Sequence, residues 1–292
     1  MAIAGKIDLH MHSNISDGSD TPEEILMKVK EAGISLFSLT DHDMVNGCRI
    51  IRSIRKEGDP VFVTGVEFSC EDEEGKYHIL GYGYDPEAEG FAKVIGKGHK
   101  FRIEKMHGRL AFLKKAFGFT FTDKEIKKLF ELENPGKPHL GNLMVKHGYA
   151  KDRGEAIKEF INKKKFPDAH LRPEEAISGI LAGGGIPVLA HPVFGDGDQL
   201  IMGDDLDARL KRLTELGLQG VEGFYSQFTP KMIREMLALA EKYDLYVTAG
   251  SDYHGANKLN ALGDTGLVWV DQWPEGLERF LRDVAERPGY CK

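Results

Sequence analysis

The stretch Ile7-Asp8-Leu9-His10-Met11-His12 alternates side-chain character, reads as a strand with Ile7, Leu9 and Met11 on one face, and closes on two histidines. Two positions apart on a strand, His10 and His12 project from the same face and can grip one ion. The arrangement recurs along the chain. Thr40-Asp41-His42 ends an expected strand Leu36–Thr40, and Glu67 ends one over Val61–Glu67. Ala190-His191-Pro192 closes Pro187–Ala190, and Ser251-Asp252-Tyr253-His254 follows Leu245–Ala249. Alternating strands and helices allow either a doubly wound sheet or a (β/α) barrel. Barrel sites gather at the C-terminal ends of strands, so this repeated placement of ionisable residues favours the barrel.

The intervening segments fit that rhythm. Thr21-Pro22-Glu23-Glu24 supplies an N-cap and a proline at the first helical position, and Gly33 stops the helix. Val45–Glu57 reads as a helix and Tyr77–Tyr82 as a short strand. The alternation then breaks: 98–169 is helical and Lys-rich, with helical spacing at Leu110, Leu113 and Phe117 and again at Ala156, Phe160 and Ile161. This segment reads as an inserted helical subdomain, leaving 1–97 and 170–292 for the barrel. Helices follow from Arg172-Pro173-Glu174-Glu175 to Gly183-Gly184-Gly185, near 205–216 and over Pro230–Tyr243, with a strand at Gly220–Tyr225. A last strand is expected over Gly266–Val270, before a helix from about Pro274.

Composition is ordinary for a globular protein, 41% hydrophobic and 29% charged over 292 residues. No apolar run approaches the roughly 18 residues that span a bilayer, and the N-terminus has no signal-peptide pattern, which points to no membrane and a cytoplasmic location. Cys48, Cys70 and Cys291 are widely spaced with no CxxC, as expected in a reducing compartment. The net charge of −7 conceals a division: 97–170 carries 18 Lys/Arg against 9 Asp/Glu, whereas the remainder carries 21 against 37. A basic segment in an acidic protein is either a solvated helical surface or a place for an anionic ligand.

Nine side chains make up the candidate metal set: His10, His12, Asp17, His42, Glu67, His78, His191, Asp252 and His254. Asp17, Glu67 and His78 would each be unremarkable alone and gain weight from the other six. One ion takes three or four protein ligands, so nine imply a cluster of two or three divalent ions. Three carboxylates against three divalent ions leave the site net cationic, suited to a phosphate or a bridging hydroxide. The mixed imidazole and carboxylate shell suits Mn, Fe or Zn better than Mg or Ca. No GxSxG, P-loop or GxGxxG stands in a strand–helix setting, so nucleophilic serine and nucleotide-fold readings have no support.

Together, the HxH pair at 10–12, Thr40-Asp41-His42-Asp43, Gly65-Val66-Glu67-Phe68-Ser69, Ala190-His191-Pro192 and Gly250-Ser251-Asp252-Tyr253-His254 resemble the PHP (polymerase and histidinol phosphatase) superfamily over nearly the whole chain. Ser16-Asp17-Gly18, Gly136-Lys137-Pro138-His139 and the run from Gly184 to Pro192 look like its nucleotide branch, the nucleoside 3′,5′-bisphosphate phosphatases and short-RNA 5′-exonucleases. The resemblance implies a distorted (β/α)7 barrel with a helical insertion. It also implies three ion sites: His10, His12, Glu67 and Asp252; Glu67 with His78 and His191; and Asp17, His42 and His254. Histidinol phosphatases typically carry His where this chain has Asp17, which favours the nucleotide branch. Lys137 stands where that branch usually has Arg, exchanging a bidentate fork for a point charge.

On that footing Arg102, Lys105, Arg109, Lys137, His139 and Ser13 become candidate substrate contacts, and Asp17, His42 and His254 candidate acids for the leaving group. The expected activity is metal-dependent hydrolysis of a phosphate monoester on a small nucleotide, through a hydroxide shared by the ions. Alternatives are a phosphodiesterase on cyclic nucleotides or short 5′-phosphorylated RNA, a histidinol-phosphate-type phosphatase, and, last, a non-catalytic metal-binding module. Without a long basic and aromatic groove, long duplex nucleic acid is not an expected partner. A monomer is expected.

Overall fold

Seven strands follow one another around the sheet in chain order: β1 (Lys6–Asp8), β2 (Ile34–Leu39), β3 (Val61–Asp72), β4 (Gly75–Tyr82), β5 (Ile186–Leu189), β6 (Gly220–Tyr225) and β7 (Tyr246–Gly250). These come from a computed structural model that describes residues 5–195, 200–270 and 272–291. The first and last strands close on each other just past their ends. The Leu9 N–H donates to the Ala249 carbonyl at 2.9 Å, Asp252 N–H to the His10 carbonyl at 2.8 Å, and His12 N–H to the Tyr253 carbonyl at 2.8 Å. The closure joins the two segments richest in candidate ligands, His10/His12 and Asp252/His254.

One strand breaks the parallel order and so distorts the barrel. β4 pairs antiparallel with both β3 and β5, whereas β1–β2–β3 and β5–β6–β7 are parallel. β3 does not stop at Glu67; it runs on to Asp72 and turns directly into β4. Because β4 is reversed, its beginning lies at the face where the other strands end. That is why His78, early in its strand, meets residues from the ends of strands.

The reversal also fixes where the insertion sits. β4 delivers the chain to the opposite face, and α3 (Glu89–Phe117) must carry it back. Its 29 residues at 1.5 Å each make a rod of about 44 Å, long enough to pass the barrel and rise above its mouth. The boundary expected at 98 falls inside this single helix. α4 (Asp123–Glu131), α5 (Lys137–Lys146) and α6 (Arg153–Glu155), continued by a π turn and a 3-10 turn to Lys163, complete the insertion around a core of their own: Met106, Leu113, Leu129, Leu140, Met144, Ala156 and Ile161. α7 (Pro173–Ala182) descends to β5.

Elsewhere α1 (Pro22–Glu31) packs on β2 and α2 (Asn46–Ile54) on α1 and β3, while α8 (Asp204–Glu215), α9 (Pro230–Lys242) and α10 (Glu275–Val284) flank the later strands. The capping box of Thr21 and Glu24 is present as the sequence implies. The expected strand over Gly266–Val270 is not one. Gly266 adopts a left-handed φ of 79° and Leu267–Trp269 forms a 3-10 turn. The extra strand is instead β8 (Tyr290–Cys291), antiparallel to β3 at Phe62 and Val63, where β4 does not reach. Among the described residues no helix is long and apolar enough to cross a membrane.

Candidate metal centre

All nine candidate ligands converge at the mouth, with Glu67 in the middle. Its Oε2 lies 3.3 Å from His10 Nε2, 3.0 Å from His12 Nε2 and 3.4 Å from His42 Nδ1. Its Oε1 lies 2.8 Å from His78 Nδ1 and 3.1 Å from His191 Nε2. Asp252 Oδ1 adds to the first group, 3.6 Å from His10 Nε2 and 3.5 Å from His12 Nε2. Asp17 gathers a third group: His254 Nε2 at 3.2 Å from Oδ1 and His42 Nε2 at 3.9 Å from Oδ2. Burial alone would raise the Glu67 carboxyl, but His78, His42 and His10 hold it well below the usual carboxylate range.

These spacings suit ions. Two donors each about 2.1 Å from one ion, at a tetrahedral angle, stand about 3.4 Å apart. The imidazoles are also pre-set. His10 Nδ1 is 2.9 Å from Glu222 Oε1 and His254 Nδ1 is 2.9 Å from the Asp252 carbonyl, so each directs Nε2 inward as a free donor. The donor set therefore fits divalent cations.

The backbone is strained where these groups meet. Among the described residues the non-glycine positions with positive φ are Asp43 (50°), His191 (27°), Asp252 (55°) and Asp244 (52°), and the first three belong to this site. Each costs on the order of 1–3 kcal/mol and persists only where the surroundings enforce it. Two glycines make the close approaches possible. A Cβ on Gly18 would lie 2.2 Å from the His12 carbonyl oxygen, and one on Gly250 would lie 2.2 Å from His10 Cβ.

Above the ligands lies a cavity of about 490 Å³. Asp17, His42 and His78 form part of its wall, and Arg102, Lys105, Arg109 and Lys137 of the insertion are among the groups facing them. Arg102 donates from Nε to Asp43 Oδ2 at 2.6 Å and from Nη2 to Ser69 Oγ at 3.0 Å, so only part of its guanidinium is left for a ligand. Burial, followed by the positive charge of Arg102, pulls the Lys105 ammonium down to about 7. Arg109 stacks on Phe166, its guanidinium carbon 5.5 Å from the ring centroid.

Two expected substrate contacts sit elsewhere. Ser13 is fully buried, and its hydroxyl and N–H both donate to Asp41, at 2.7 and 2.8 Å. His139 Nδ1 accepts the Gly136 N–H at 2.9 Å and so caps its own helix. Neither lines the cavity.

Several groups outside the nine hold the ligands in place. Glu222, in the middle of β6, touches both His10 and the backbone of His191. Tyr225 and Lys258 donate to Asp252 Oδ2 at 2.9 and 2.7 Å. For Glu222 a signal existed: a lone carboxylate inside the apolar run Gly220–Tyr225 must be paired if the strand is buried. Lys258 stands in a loop and carried none.

Residues 8–166 match the PHP domain family. The chain belongs to that family. Among its relatives is a phosphoribosyl 1,2-cyclic phosphate 1,2-diphosphodiesterase from Eggerthella lenta, 29% identical over 85% of this chain and 94% of that one. Another is a 3′,5′-nucleoside bisphosphate phosphatase from Chromobacterium violaceum, 28% identical over 94% of this chain and 98% of its own. A Bifidobacterium adolescentis crystal structure, assigned as a metal-dependent phosphoesterase, superposes with a TM-score of 0.78 at 25% identity, covering 97% of this chain and 96% of the other. The fold of this PHP protein therefore has a solved counterpart over nearly its whole length.

Proposed function

We propose that this PHP protein is a metal-dependent phosphoesterase that removes a phosphate monoester from a small nucleotide, the 3′-phosphate of a nucleoside 3′,5′-bisphosphate being the leading substrate. One observation carries the reading: Glu67 presents one oxygen to His10 and His12 and the other to His78 and His191, directly below a cavity roofed by Arg102, Lys105 and Arg109. A substrate with two phosphates fits such a cavity, one at the ligand floor and one at the cationic roof.

Divalent Mn, Fe or Zn in this donor set would supply an activated water and neutralise charge on the phosphoryl oxygens. The chain's own residues do the rest. Lys105 and Arg109 bind the distal phosphate, Lys258 adds a positive charge in the same wall, and Phe166 lines the space beside Arg109. Asp17, His42 and His254 would act on the departing alkoxide as holders of the third ion and its water, since the Asp17 carboxyl is held well below the usual carboxylate range and has no proton of its own to give.

The test is a phosphate-release and product assay on metal-loaded enzyme with a 3′,5′-bisphosphate, a cyclic phosphate and a 5′-phosphorylated dinucleotide. The bisphosphate should turn over fastest, and His10→Ala and Asp252→Ala should abolish turnover with the fold intact. Full activity in either variant sinks the site. A second reading, hydrolysis of a cyclic phosphodiester, is favoured by the Eggerthella lenta relative, and preference for the cyclic substrate would establish it.

A further inference from the structure

The helical insertion grips the ligand loops at points away from the cavity cations. Arg153, at the start of α6, donates from Nη1 to Asn257 Oδ1 at 2.6 Å and from Nη2 to the Asn257 carbonyl. Asn257 passes the contact on: its Nδ2 donates to the Asp17 carbonyl at 2.8 Å and its N–H to the His254 carbonyl at 3.2 Å. The two loops are also stitched to each other, Ser19 N–H to the His254 carbonyl at 3.1 Å and Ala256 N–H to Ser19 Oγ at 2.8 Å. There is little slack here, since a Cβ on Gly255 would lie 2.0 Å from Ser19 Oγ. The third member of this ligand group is held likewise, because Asn134 of the insertion donates to the His42 carbonyl.

The other two groups are held from within the barrel. Glu222 and Tyr225 of β6 orient His10, His191 and Asp252. Through Arg153 and Asn134 the insertion thus bears on Asp17, His42 and His254, while its Arg102 reaches Asp43 and Ser69 beside His42 and Glu67.

We propose that Arg153 and Asn257 are positioning residues through which the insertion holds the third ion site, the Asp17–His42–His254 group, in binding geometry. The proposal rests on the three-site reading above. A bidentate guanidinium fork fixes Asn257 in both position and orientation, which a single ammonium cannot do. Loss of the fork frees the 254–257 turn, and with it the spacing of His254 Nε2 from Asp17. The first two sites keep their bonds to Glu222 and Tyr225 when the fork is lost, and among the described residues of the 254–258 turn only Lys258 and the His254 ring touch Asp252. By reciprocity, an ion at the third site also strengthens docking of the insertion over the mouth.

Equilibrium dialysis of the full chain against graded Mn2+, with elemental analysis, tests this in wild type, Arg153→Ala, Arg153→Lys and Asn257→Ser. Wild type should bind three ions. Each variant should keep two at wild-type affinity and bind the third at least about tenfold more weakly, as for other groups that orient ligands. Turnover should fall at low Mn2+ and recover at high Mn2+, with KM unchanged. Three ions at unchanged affinity in Arg153→Ala and Asn257→Ser would overturn the latch alone. Equal weakening of all three ions in both would also overturn it, since the effect would then be general loosening. Two ions in wild type would overturn the third site itself, and the latch with it, leaving the other two sites standing.

Discussion

Glu222 holds His10 by the ring: its Oε1 lies 2.9 Å from His10 Nδ1, while Oε2 accepts the His191 N–H at 2.7 Å. One fully buried carboxylate thus orients ligands that follow β1 and β5, far apart in the chain, and its charge is matched by two donors. Glu222→Gln cannot serve both. If its amide oxygen accepts from one donor, its NH2 meets the other head-on. The expected result is a 10- to 100-fold loss of metal affinity, measured by metal titration, with the far-ultraviolet circular dichroism retained. Unchanged affinity would show that His10 and His191 hold themselves.

Gly250 gives a sharper test of the same corner. An added methyl would sit 2.2 Å from His10 Cβ and 2.6 Å from Glu222 Oε1, both fully buried. Gly250→Ala should cost about 1–3 kcal/mol by overpacking and lower metal content together with stability. Gly96, in α3, has nothing within 4 Å of its would-be Cβ. Gly96→Ala should therefore stabilise by about 0.5–1 kcal/mol. Urea unfolding of the pair decides, and equal changes would refute the steric argument.

The contrast between these positions marks what was legible. His10, His12, Asp252 and His254 could be read because polar residues at strand ends break an otherwise apolar rhythm. Glu67 was found, although β3 continues five residues past it to Asp72; a hairpin extension looks the same as a strand end until its partner is known. The reversal of β4 left no mark, because alternation along a strand is the same in either direction. Gly266 misled because Leu267-Val268-Trp269-Val270 has strand composition, while its left-handed φ depends on tertiary context. His139 bonds locally, to the N-terminus of α5, whereas the Ser13 hydroxyl donates to Asp41, 28 residues along, a pairing that exists only once β1 and β2 lie side by side.

The roof of the cavity should titrate. Burial, and then Arg102, hold Lys105 down at about 7, so in the free enzyme it is a cation below that pH and a neutral amine above it. An anionic substrate binds the cation, so KM should rise as pH climbs through 7. Deprotonation of an activated water would act on kcat in the opposite direction, which makes KM the informative reading. Lys105→Met should raise KM at pH 6 by about tenfold or more, the loss of one charge-assisted hydrogen bond, and flatten its pH dependence. A KM that tracks wild type across pH 6–8 would remove Lys105 from the substrate site.

Glu67 should dominate the response of stability to metal. Ions that bind only the folded state stabilise it by about 2.7 kcal/mol per site at a hundred times the dissociation constant. Glu67 is the shared carboxylate of two ligand groups, Oε2 toward His10 and His12 and Oε1 toward His78 and His191, and its Oε2 also comes within 3.4 Å of His42 in the third. Glu67→Gln keeps the shape but replaces one oxygen by NH2, which cannot ligate, and removes the charge that offsets ions at both groups. Metal-free Glu67→Gln should unfold at lower urea than metal-free wild type, because the histidines lose the carboxylate they hold ionised, so the metal-induced gain is compared within each protein. Addition of Mn2+ or Zn2+ should then stabilise the variant by less than half as much as wild type, with the Asp17–His42–His254 group supplying what remains. Equal stabilisation of the two proteins would mean that Glu67 holds no ion, and the cations would have to sit on the histidines with Asp17 and Asp252.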